Sequence, residues 1–159
     1  MTVDQSPHAV SFTKPSDLEF KVERVFDHPI ERVWAAYTEP DLISQWWGEG
    51  TTVDRLDLRP GGSYRFVQNQ GTDKESAFSG DFLEVSPPDR IVQTFGMEGP
   101  YGKPMTQTIE LQRVGEGTRL AITSRFDTTE ERDETAKYVP GGATWGWNKL
   151  DALLAQLAA

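Results

Sequence analysis

Three features of the sequence predict an α+β fold. Its expected parts are a curved antiparallel sheet of about six to seven strands, two short helices after the first strand, and a long C-terminal helix packed across the sheet. One feature is the clean alternation over residues 18–26, followed at once by two short helical patterns. Another is the middle of the chain, residues 51–127, made almost wholly of short extended runs between turn residues. The third is the tail, where Trp147, Leu150, Leu154 and Leu157 recur about a turn apart with Leu153 beside them.

In the first strand, Leu18, Phe20, Val22, Arg24 and Phe26 share one face, and Glu19, Lys21 and Glu23 share the other. That pattern belongs to a strand with one wet face. Arg24 is a charge in an apolar row, and two readings stand. Either it sits near the strand end and snorkels to a surface carboxylate, or it is a polar anchor inside a pocket, paired with a buried acid. Asp27-His28-Pro29 breaks the strand, and Pro29 suits the first turn of a helix. Ile30, Val33, Trp34 and Tyr37 then recur at the spacing of one buried helical face. Pro40 opens a second short helix with Leu42, Ile43 and Trp46 as its apolar side, and Gly48 and Gly50 end the unit. Trp46 and Trp47 are neighbours on that helix, so their rings point about 100° apart and cannot share one environment. One ring is expected to seal the interior; the other packs on a neighbouring element or lines an opening.

Residues 51–58 read as extended, and Arg59-Pro60-Gly61-Gly62 is a strong turn. Residues 63–68 alternate, with Tyr64 and Phe66 on one face, before a second turn over 69–73. The strand over 75–85 carries Phe82 and Leu83 side by side, which predicts a bulge or burial on both faces. Pro87-Pro88-Asp89 ends it, residues 91–97 form the next strand, and 98–104 make a loose connection. Met105, Gln107, Ile109 and Leu111 then face one way, Gly115-Glu116-Gly117 closes a hairpin, and Leu120, Ile122 and Phe126 form the inner set of residues 118–127. Such short spacings imply an antiparallel meander. Thr128 with Glu131 has the form of a capping box opening a charged helix through about Tyr138. Pro140-Gly141-Gly142 is expected to interrupt it, with an amphipathic helix of roughly four turns from Ala143 onward.

The 159 residues suit one domain over 18–159 behind a loose, polar N-terminal arm, residues 1–17, in which His8 is expected to be solvated. With no cysteine there is neither a disulfide framework nor a thiolate metal site. A formal charge of −9 without a basic run argues against nucleic acid as a partner. The leader lacks the form of a signal peptide, and no apolar segment approaches the ~18 residues of a membrane span, so a cytoplasmic location is expected.

The order of elements resembles the START-like (SRPBCC, helix-grip) superfamily. Glu39-Pro40-Asp41-Leu42 with Trp46-Trp47-Gly48, the strand-turn run Arg59-Pro60-Gly61-Gly62-Ser63-Tyr64-Arg65-Phe66, and the tail Trp145-Gly146-Trp147-Asn148-Lys149-Leu150-Asp151-Ala152-Leu153 narrow it to one branch. That branch is named for the activator of heat-shock protein 90 ATPase, homologue-like. The resemblance spans about residues 18–158 and implies a deep apolar cavity between sheet and long helix, used across the superfamily for hydrophobic molecules. The branch name also implies a chaperone as partner. Eukaryotic activators carry a separate N-terminal domain ahead of this module, whereas here only the short arm precedes Leu18, which weighs against chaperone activation.

The residues themselves show little reactive chemistry. His8 and His28 are the only imidazoles and belong to no ligand-spaced cluster, so no metal site is expected. No Gly-x-Ser-x-Gly elbow is present, Gly48-Glu49-Gly50 lacks the rest of a dinucleotide fingerprint, and no phosphate-binding Gly-Lys motif occurs; no cofactor is implied. A cavity built from Trp34, Tyr37, Phe66, Phe82, Phe95 and Trp147 would need a few polar groups to orient a ligand, and Arg24, Gln93 and Gln107 are the candidates, with Glu84 a further one. Trp46 or Trp47 and the loop 98–103 would frame its entrance. The leading expectation is a module that binds a small hydrophobic or aromatic molecule. Its rivals are an enzyme of cyclase, aromatase or hydrolase type using the same cavity, and a chaperone-regulating interaction protein.

Overall fold

A computed structural model describes residues 8–100 and 103–158. Strands β1 (Ser11–Ser16) and β2 (Glu19–Phe26) lead into helices α1 (Ile30–Thr38) and α2 (Pro40–Trp46). Six strands follow: β3 (Thr51–Leu56), β4 (Ser63–Gln68), β5 (Ser76–Ser86), β6 (Arg90–Met97), β7 (Met105–Val114) and β8 (Gly117–Arg125). Helices α3 (Thr129–Ala136) and α4 (Val139–Ala158) close the chain. The strands form one antiparallel sheet in the order β1-β2-β8-β7-β6-β5-β4-β3, so β3 to β8 are a meander and β2 joins beside β8.

The sheet therefore has eight strands rather than six to seven, and the helix pair follows the second strand rather than the first. The extra strand lies in what was expected to be a loose arm over 1–17. Its residues 11–16 pair with β2, with Phe12 opposite Val22, and the Phe12 ring packs 5.5 Å from Phe20. A polar edge strand with one aromatic anchor has too weak an alternation to be read from sequence, and its Pro15 is tolerable only because the edge needs no further ladder bond. Residues 1–7 of that arm lie outside the described residues. His8 is not solvated alone: its Nε2 lies 2.8 Å from Asp27 Oδ2.

Two other differences are local. In β5 the register shifts between Phe82 and Glu84, which turns Phe82 inward, 3% exposed, and leaves Leu83 outside at 55%. Helix α4 begins at Val139, not Ala143, because Pro140, Gly141 and Gly142 occupy its first turn, where the backbone N–H groups lack intrahelical acceptors anyway. The Thr128 cap holds as expected, its hydroxyl accepting from the Glu131 N–H at 3.2 Å.

One end of the space between sheet and α4 is packed solid. Phe26, Val33, Leu120, Leu150 and Leu154 are fully buried there, and the Phe26 ring meets Trp147 edge-on at 6.1 Å. Each such side chain contributes about 1.5–3 kcal/mol of apolar burial. Arg24 belongs to this end.

Candidate ligand-binding cavity

Antiparallel register stacks the inner face into levels. Phe26 and Thr118 face each other at the packed end; Arg24, Leu120 and Leu111 come next. The following level is Val22, Ile122, Ile109 and Ile91, and the one after it is Phe20, Ser124, Gln107, Gln93 and Phe82. Phe95 and Met105 lie beyond. Over the last three levels α4 does not reach the sheet, and a cavity of about 440 Å³ remains, within the range of small-molecule sites.

The two tryptophans both border the cavity but make different contacts, Trp46 from the last turn of α2 and Trp47 from its extended C-cap. Trp46 is 4% exposed and donates its Nε1–H to the Ala36 carbonyl at 2.8 Å, which ties α2 to α1. Trp47 leans over the sheet, with ring centroids 5.0 Å from Phe66 and 5.2 Å from Phe78. The turn after them is held from both sides. The Thr51 hydroxyl donates to the Trp47 carbonyl, and Lys149 Nζ of α4 donates to the Gly48 carbonyl at 3.0 Å. Gly48 has φ +67°, the left-handed region that favours glycine, and the Gln68 amide packs where a Cβ would stand.

Polar atoms on the wall are few. Gln93 Nε2–H donates to Gln107 Oε1 at 3.1 Å across the β6–β7 register. Tyr37 accepts the Trp147 Nε1–H at 2.9 Å, and the Tyr64 hydroxyl donates to the Thr94 carbonyl at 2.6 Å. Burial pushes both phenols above the usual tyrosine range; the Trp147 bond opposes this at Tyr37, and the Asp81 charge adds to it at Tyr64. Among the described residues no aspartate, glutamate, histidine, lysine or arginine lines the cavity, and no group of three acids or histidines is placed to hold a metal ion.

Nine of the eleven candidate residues meet on this wall: Tyr37, Trp46, Trp47, Phe66, Phe82, Gln93, Phe95, Gln107 and Trp147. Two do not. Arg24 is buried at the packed end, where its Nη1 donates to Asn148 Oδ1 at 2.7 Å, its Nη2 lies 3.7 Å from Asp151 Oδ2, and its guanidinium covers the Phe26 ring. It ties sheet to helix rather than anchoring a ligand. Trp34 is displaced because Ile30, Val33 and Ala36 take the inward face of α1, which leaves its ring on the helix shoulder. Glu84 is outside the cavity, paired with Arg90 at 2.5 Å.

Of loop 98–103, residues 101–102 lie outside the described residues, and Glu98 turns away to bind Arg65 at 3.0 Å. Among the described residues, Tyr138 just before α4 and Trp145 within it line the cavity while 73% and 52% exposed, which sets them at its rim. Sequence reasoning also missed Ser124, Phe78 and Gly146. Ser124 was legible, since it falls between Ile122 and Phe126 in the inner alternation of β8. Phe78 and Gly146 gave no signal, because their place on the wall depends on where Trp47 and α4 come to rest.

The Activator of Hsp90 ATPase homolog 1-like protein family matches residues 27–159. The chain belongs to this family. No curated protein matches it. Among solved structures, a Rhodobacter sphaeroides protein is 25% identical, the match covering 92% of this chain and 99% of that one at a TM-score of 0.82. A Nitrosomonas europaea protein is 30% identical, with 88% and 96% covered and a TM-score of 0.74. CalU16 from Micromonospora echinospora, 24% identical over 92% and 83% of the two chains at 0.63, shares the fold. The START-like resemblance therefore holds, with the family's helix-grip arrangement carried here on eight strands.

Proposed function

We propose that this member of the family binds a small hydrophobic or aromatic molecule in the cavity beneath the first half of α4. One observation carries the reading: about 440 Å³ stays open between aromatic walls, although eight phenylalanines and five tryptophans were available to fill it. An unfilled apolar void forfeits dispersion contacts, and a guest molecule restores them. Affinity would come from apolar burial at roughly 25 cal/mol per Å². An enzyme using acid–base chemistry needs an ionisable pair facing the void, and the wall offers phenols held in their neutral form, so binding is favoured over catalysis of that kind.

The test is a panel of hydrophobic compounds, read by tryptophan quenching and thermal shift. Trp46, Trp47 and Trp147 all border the cavity, so a true ligand quenches them and raises Tm with concentration. A chemically broad panel without one hit sinks the reading. The family's description favours a second one, regulation of a chaperone ATPase. Co-purification with the chaperone, or acceleration of its ATPase, would establish that, and silence in both would remove it.

A further inference from the structure

The polar level of the cavity floor has unused hydrogen-bonding capacity. Register places Gln93 of β6, Gln107 of β7 and Ser124 of β8 side by side in one row, closed by Phe82 at one end and Phe20 at the other. The two amides share one hydrogen bond. In either orientation of those amides, one carbonyl oxygen and one NH2 group keep free lone pairs and protons among the described residues. Ser124 is 2% exposed and lines the cavity, and its hydroxyl has no hydrogen-bond partner among the described residues. These polar atoms are open to the cavity and not sealed in the core, since Arg24 Nε is the one buried polar side-chain atom without a partner among the described residues, and every other member of the row is a phenylalanine. From the opposite side Tyr37 still has its own O–H to give after accepting from Trp147.

The surroundings also set the ligand's charge. Among the described residues no charged side chain lines the wall, and the whole chain carries −9, so an anion would leave water without meeting a cation there. We infer that the cavity selects an uncharged aromatic ligand carrying a donor and an acceptor side by side, of primary-carboxamide type, read by Gln93, Gln107 and Ser124. This rests on the binding reading above and goes further in naming the chemistry recognised. Gln93, Gln107 and Ser124 act as specificity determinants, while the aromatic wall supplies affinity to any flat apolar ring.

Three probes of nearly one shape separate the possibilities: 2-naphthamide, 2-methylnaphthalene and 2-naphthoate, titrated calorimetrically into the full chain near neutral pH. The amide is expected to bind at least about tenfold tighter than the methyl compound and about a hundredfold tighter than the carboxylate. In the double variant Gln93→Met, Gln107→Met the amide's advantage disappears while 2-methylnaphthalene binds as well or better. The milder Ser124→Ala variant reduces the advantage several-fold and serves if the double variant does not fold. Equal binding of amide and methyl compound, or best binding by 2-naphthoate, overturns the inference but leaves the binding reading intact. If none of the three binds while other compounds in the panel do, the inference again falls alone; if nothing binds, both fall.

Discussion

Over residues 147–154, α4 presents Trp147, Leu150, Leu153 and Leu154 to the sheet, none more than 5% exposed. Over residues 139–146 the same helix presents Val139, Gly142, Ala143 and Gly146, and the sheet below it is out of reach. The first set closes the space with large side chains and adds the Arg24 clasp through Asn148 and Asp151. The second leaves the space open because small residues stand where large ones would fill it. A Cβ added at Gly142 or at Gly146 would meet nothing within 4 Å. One helix thus stabilises the fold with its second half and shapes the void with its first, and the two duties should separate under mutation.

The largest effect is expected at the packed half. Leu150→Ala removes a side chain that is 0% exposed and should cost about 2–5 kcal/mol, seen as a large fall in the chemical-denaturation midpoint. A loss below about 1 kcal/mol would mean that α4 is not the structural clamp described. Asn148→Ala comes next. It strands part of a guanidinium whose Nε already lacks a partner, for about 1–3 kcal/mol by the same measurement. Arg24→Met, which removes the charge together with its need for partners, should be milder.

The open half should respond in the opposite sense. Gly146→Ala relieves the glycine penalty in a helix interior and should stabilise by about 0.5–1 kcal/mol. Gly146→Leu is expected to hold stability while abolishing the tryptophan quenching produced by any panel ligand. Unchanged quenching in that variant would place the ligand elsewhere. The smallest effect is alkaline. Tyr37 and Tyr64 have raised folded values, so their contribution is complete below the unfolded value of about 10 and is lost as pH rises from there through the folded values. Tm should fall above about pH 10, and Tyr37→Phe should flatten part of that fall; an identical alkaline slope in the variant would contradict the assignment.

Much of the wall could be read from the sequence because strand alternation reports facing directly. Tyr64 and Phe66, Met105 to Leu111 and Leu120 to Phe126 all point as their spacing says. Arg24 shows the limit of that signal. Its inward direction was legible, but whether an inward residue meets a void or a helix depends on what covers that level of the sheet. Helical positions were harder still. Trp34 shares the apolar spacing of Ile30, Val33 and Tyr37 yet falls on the shoulder of α1, since a stripe wide enough for four residues is wider than the contact beneath it. Strand β1 escaped notice because edge pairing is made by backbone groups, which carry no side-chain pattern.

By itself the sequence determined the order of elements from β2 onward, the faces of the central strands and the different placements of two adjacent tryptophans. All of these follow from periodicities and residue types within a few positions of one another. Tertiary structure alone decided that Gln93, Gln107 and Ser124 lie in one row and that α4 leaves space above them. Lateral register is settled by pairing summed over whole strands, and an internal void by how far apart two packed layers stand. Neither quantity is written in any local stretch of the chain.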